Sequence, residues 1–119
     1  MIDSDGDLDV IIGSGDYYLT AFDGPTGAYL WKYETGGEIN SCPAIGDIDG
    51  DNKLDVVVGS RDHKIYAFNA RDGSVKWSAS AGDEIISSPA MGDLNRDGIY
   101  EIIITSVDTK CYCFEGKGG

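Results

Sequence analysis

The chain has 119 residues, 41% of them hydrophobic and 10% aromatic, enough for a modest core and too apolar for a disordered polymer. Its 21 acidic against 9 basic residues leave a net charge of −12, which repels nucleic acid and anionic membrane surfaces and argues against either as a direct partner. No apolar run approaches the roughly 18 residues of a membrane helix and no basic-then-apolar start marks a signal peptide, so direct membrane insertion is not expected.

The first element in chain order is an acidic loop over 1–9, carrying Asp3, Asp5, Asp7 and Asp9. It leads into three short strands, which with the loop make a partial unit over 1–34. A complete unit over 41–80 follows. It begins with a strand over 41–48, then a second acidic loop with Asp47, Asp49, Asp51, Lys53 and Asp55. The β-branched run Val56, Val57 and Val58 marks a buried strand over 54–60. A strand over 64–69 alternates, with Ile65 and Ala67 on the face opposite polar neighbours. Gly73 turns the chain into a last strand over 75–79, which carries Trp77. A second partial unit over 87–119 repeats the start of this order, with a third loop holding Asp93, Asn95, Asp97, Ile99 and Glu101. No amphipathic stretch long enough for a helix occurs.

The units are copies of one another. Laying 13–58 over 59–104 without a gap gives sixteen identities in forty-six positions, among them Gly13/Gly59, Asp16/Asp62, Phe22/Phe68, Trp31/Trp77 and Pro43/Pro89. A four-stranded unit recurring at this period is the mark of propeller blades. The expected fold is all-β: four-stranded antiparallel blades on a 46-residue repeat, about two and a half of them. One blade cannot bury both its faces, so the expected partners are further blades of a longer propeller or copies of the same chain.

The three loops place oxygen side chains at positions 1, 3, 5 and 9, except that Met1 stands at the first position of the first loop. Position 7, filled by Asp7, Lys53 and Ile99, would add a backbone carbonyl. Calcium takes six to eight oxygens at about 2.3–2.6 Å, and alternate positions of a tight loop turn inward together. Gly6, Gly98 and the Gly50/Asn52 pair allow the positive φ that such a turn needs. An EF-hand is excluded, because its position 12 is occupied by Ile12, Val58 and Ile104, each in a strand. A metal-free Asp/Asn/Gly turn is the plainer reading. Against it, carboxylates about 4 Å apart repel by roughly 1–4 kcal/mol per pair at effective dielectrics of 80 to 20. Two to three Ca²⁺ ions are therefore expected, in a structural role, with magnesium disfavoured by its demand for a small octahedral shell.

The loops, with Pro43 to Asp47 and Pro89 to Asp93 before them, resemble the FG-GAP calcium repeats of integrin α-subunit propellers and their bacterial relatives. The other half of each repeat, Ala21 to Trp31 and Ala67 to Trp77, resembles the tryptophan-docking motif of pyrroloquinoline-quinone (PQQ) propellers. The resemblance covers essentially the whole chain. It implies a secreted or cell-surface propeller, calcium ligands at the positions named above, and Trp31 and Trp77 packed between blades. It implies no quinone cofactor.

Other candidates are weaker. Cys42, Cys111 and Cys113 are expected to be small buried hydrophobes, since Cys111 and Cys113 align with Leu19/Ile65 and Ala21/Ala67. His63, the one histidine, sits in a turn without catalytic company. Tyr17, Tyr18, Tyr29 and Tyr33 suit strand-edge packing better than a carbohydrate site. The expectation is a calcium-binding scaffold for adhesion or for a protein or carbohydrate ligand, and not an enzyme. The alternatives are a fragment of a PQQ-dependent quinoprotein dehydrogenase and a self-assembling ring or filament subunit.

Overall fold

The computed structural model describes residues 6–118. Among them are ten strands and no helix, arranged as three antiparallel meanders. The first blade holds β1 (Val10–Gly13), β2 (Tyr18–Phe22) and β3 (Tyr29–Glu34). The second holds β4 (Ala44–Gly46), β5 (Asp55–Gly59), β6 (Lys64–Asn69) and β7 (Val75–Ser80), hydrogen-bonded in chain order. The third holds β8 (Ala90–Gly92), β9 (Glu101–Thr105) and β10 (Cys111–Glu115).

The hairpins repeat in detail. Gly27 (φ 71°) and Gly73 (φ 73°) close equivalent turns, donating to the carbonyls of Asp23 and Asn69. A register shift follows Ala21 and, 46 residues on, Ala67.

The inner strand β4 is shorter than the 41–48 expected from sequence. Ser41 leaves the ladder because its hydroxyl takes over the pairing, donating to the Gly59 carbonyl and accepting from the Gly59 N–H. Ser87 makes the same two bonds with Thr105. At the other end Ile48 donates its N–H to the Asp55 carboxylate instead of to a strand.

The blades stack face to face, and in the central blade the two faces of β5 and β6 serve two different seams. At the first seam Leu19 and Ala21 of the first blade meet Val56, Val58, Tyr66 and Phe68 of the second. At the second seam Val57, Ile65 and Ala67 of the second blade meet Ile102 and Ile104, with Tyr112 and Phe114 alongside. This corrects the alternating reading of β6: Ile65, Tyr66, Ala67 and Phe68 are all buried, because a central blade is covered on both sides.

Each seam carries the same polar fastenings. Trp31 Nε1 donates to the Ala70 carbonyl at 2.8 Å, and Trp77 Nε1 to the Gly116 carbonyl at 2.8 Å. Asp62 accepts from the Tyr66 hydroxyl and from Gly36 N–H of the preceding linker. Asp108 accepts likewise from Tyr112 and Gly82. Gly13 and Gly59 are the bare spots onto which the linker residues Ile39 and Ile85 press. A Cβ on either would lie 2.2 Å from the isoleucine Cγ2.

The cysteine expectation fails. Cys42, Cys111 and Cys113 are all exposed. Cys111 and Cys113 do occupy the strand positions of Ile65 and Ala67, but on a blade face that nothing among the described residues covers.

Candidate functional site

The second and third acidic loops join the first two strands of their blades, so the sheet fixes both ends of each loop. Gly50 (φ 81°) and Asn52 (φ 64°) bend the second loop, and Arg96 (φ 62°) and Gly98 (φ 87°) bend the third at the same two positions. The amides that the bends turn inward are taken up by the acidic side chains. Asp47 accepts from the N–H groups of Gly50, Asp51 and Asn52, Asp49 from Asp51, and Asp51 from Lys53. Forty-six residues on, Asp93 accepts from Asp97 and Gly98, Asn95 from Asp97, and Asp97 from Ile99. Asp55 and Glu101 complete the two frames by accepting from Ile48 and Leu94 at the loop entrances.

This network leaves one set of oxygens aimed at a common point. In the second loop Asp47, Asp49, Asp51 and Asp55 each offer an oxygen, all within 4.8 Å of one another. Asp55 is fully buried at the base, and its Oδ1 has no hydrogen-bond donor besides the ammonium described next. Lys76, on the outer strand β7, reaches into that point. Its Nζ lies 2.6 Å from Asp55 Oδ1, 2.8 Å from Asp49 Oδ2 and 3.6 Å from Asp51 Oδ2. An ammonium thus stands where a bound cation would sit.

The titration behaviour follows from this placement. Burial raises the Asp55 carboxyl above its ordinary range despite the lysine. Burial also works on Asp49, but the hydrogen bond and charge of Lys76 outweigh it and hold Asp49 below that range. Lys76 is raised, because its bonds to Asp49 and Asp55 outweigh the cost of burying it.

The third loop has the frame without the lysine. Among the described residues no ion pair reaches Asp93, Asp97 or Glu101, and the buried Oε1 of Glu101 has no hydrogen-bond partner. The donor set suits a hard cation, being carboxylates and an amide oxygen with one desolvated oxygen in want of a partner.

The first loop is only partly described. Asp3 and Asp5 lie outside the described residues. Asp7 is exposed, and Asp9 accepts from Gly24 N–H at 3.3 Å. Gly6 (φ 92°) bends the chain as Asn52 and Gly98 do. Lys53 and Ile99 donate their amides to Asp51 and Asp97 within the loops. Sequence reasoning missed Lys76. The available signal was a lysine in place of Leu30, one residue before the repeat's tryptophan.

A family model described as an FG-GAP-like repeat matches the sequence twice, over residues 2–58 and 47–104. The chain belongs to the FG-GAP-like repeat family. Each match of this FG-GAP-like chain spans one acidic loop and the strands that follow it, and ends just after the next loop. No curated protein matches it. Among solved structures it resembles the computationally designed Ika4 protein, with a TM-score of 0.72 at 16% identity. That match covers 92% of this chain and 61% of the designed one, and it speaks for the fold alone.

Proposed function

We propose that this FG-GAP-like chain is a calcium-stapled propeller module, a non-catalytic scaffold for adhesion or ligand display outside the cell. The observation that carries the reading is the recurrence of one loop frame 46 residues apart, each with a buried carboxylate oxygen at its base: Glu101 Oε1 has no hydrogen-bond partner, and Asp55 Oδ1 is met only by the Lys76 ammonium. Asp93, Asn95, Asp97 and Glu101 would hold one ion, and Asp47, Asp49, Asp51 and Asp55 a second once Lys76 withdraws. The ion would cancel carboxylate repulsion and lock the loop between two strands of the blade.

The two loops are not equivalent on this reading. The third accepts an ion directly, whereas the second must first give up an internal cation, so the third fills at lower calcium. Affinities in the range of extracellular modules, about 10⁻⁴–10⁻³ M, correspond to roughly 4–5.5 kcal/mol per site. Calorimetric titration should show at least one calcium site, lost in Asp97→Ala, and a melting temperature that rises with calcium. Identical melts in calcium and in chelator would overturn the proposal.

A further inference from the structure

We propose that the 119-residue chain pairs head to tail with a second copy of itself, through two exposed faces that match the apolar strand faces of the seam it already builds twice internally. At the seams inside the chain, the leading face of one blade (Val57, Ile65, Ala67) is buried against the trailing face of the next (Ile102, Ile104). The 46-residue register carries each half to an end of the molecule. The third blade presents Ile103, Cys111 and Cys113 at the positions of Val57, Ile65 and Ala67. The first blade presents Val10, Ile12 and Phe22 at the positions of Val56, Val58 and Phe68.

The contrast in burial identifies these faces as unfinished. Val56 and Val58 are 0% exposed, while their counterparts Val10 and Ile12 are each 53% exposed. Ile48 is 0% exposed beneath the third blade, and Leu94, its counterpart at the free end, is 65% exposed. Single exposed apolar residues are ordinary, but a group of them on the terminal blades, with Phe22 and Ile103 half-buried among them, marks an interaction surface.

The occupant follows from continuity with the existing seams. A second copy supplies at its first blade the type of surface that the third blade requires, and needs at its own third blade what the first copy offers. Such a contact is heterologous, so it either closes into a ring or grows. The blade step decides. Propellers close at about 4–8 blades. Two copies of three sheets make six, inside that range, whereas three copies make nine. The net charge of −12 on each copy opposes the pairing. At about 0.15 M salt the Debye length is about 8 Å, which screens distant charges but leaves the apolar contact intact.

Sedimentation of the purified chain in calcium and 0.15 M salt tests the pairing. A species of about twice 12.7 kDa is expected, and a 12.7 kDa monomer at all concentrations would overturn the proposal. Two variants test the faces. Val10→Asp with Ile12→Asp spoils the trailing face, and Cys113→Asp the leading face. Each alone should sediment as monomer with its β-sheet circular dichroism intact. An equimolar mixture should recover a two-chain species, because one sound face remains on each partner. If the double variant fails to fold, Cys113→Asp alone decides, since Cys113 is exposed. A dimer that persists in Cys113→Asp would place the contact elsewhere and sink the proposal.

Discussion

Lys76 and Glu101 show how one side chain divides two otherwise matching loops. Asp55 is buried with only an ammonium to answer its Oδ1, so removing that ammonium leaves an uncompensated buried charge. In chelator, Lys76→Gln should destabilise the chain by about 3 kcal/mol, the low end for breaking a buried pair because Lys76 keeps 18% side-chain exposure. In calcium the same variant should bind at the second loop at least about tenfold more tightly, since the ion no longer displaces a positive charge. Paired chemical denaturation and calorimetry check both signs, and equal calcium affinity in the two proteins would show that Lys76 does not compete. The oxygen pattern of the loops was legible in the sequence, because the spacing 1, 3, 5, 9 is local. The lysine was not, because it arrives from a strand 21 residues beyond Asp55.

Titration at this scale also has a direction. The Ser74 hydroxyl holds Asp72 below the usual carboxylate range, the Tyr112 hydroxyl does the same for Asp108, and Lys76 does so for Asp49 against the effect of burial. A carboxyl lowered in the folded state adds stability above its unfolded value of about 3.9 and loses it as pH falls through the folded value. Asp55, raised by burial, works the other way. The three contributions are lost as pH falls below about 4 while that of Asp55 is gained, so metal-free Asp55→Asn should lose more stability there than the unsubstituted chain. At the alkaline end the raised Lys76 adds stability that is complete below about pH 10.4 and declines above it. Thermal melts across pH in chelator read both ends.

Among the elements, the seams depend on small residues that the alignment had already picked out without explaining. Gly59 is conserved between the first two copies as Gly13, and the reason lies in the linker isoleucine that presses on each. Gly59→Ala would drive a methyl into Ile85 and Ile104 and should cost about 1–3 kcal/mol, as overpacking does. The third copy carries Thr105 at this place, and it is exposed. Strand order was readable from the repeat, and packing of the tryptophans between blades followed from the family resemblance, though their carbonyl partners did not. The bounds of β4 were not, because a serine hydroxyl replaces backbone pairing there and propensity does not register it. The burial of Cys111 and Cys113 was misjudged for a different reason. Alignment transfers a residue's place in its own sheet, while burial belongs to the neighbouring sheet.

Considered as a whole, the molecule is a short stack in which each layer borrows its stability from the next, as repeat proteins do. The two tryptophans make that arrangement separately visible. Trp31 lies in the seam between the first and second blades and Trp77 in the seam between the second and third, one indole to each. Trp31 is 8% exposed, and Trp77 is half-buried. Single-tryptophan variants, with phenylalanine at the other site, therefore turn the chain into two local optical gauges. Emission from the Trp77 seam should shift to the red at lower denaturant than emission from the Trp31 seam, peeling the stack from its third blade inward. Coincident transitions would instead mean that the three layers come apart as one.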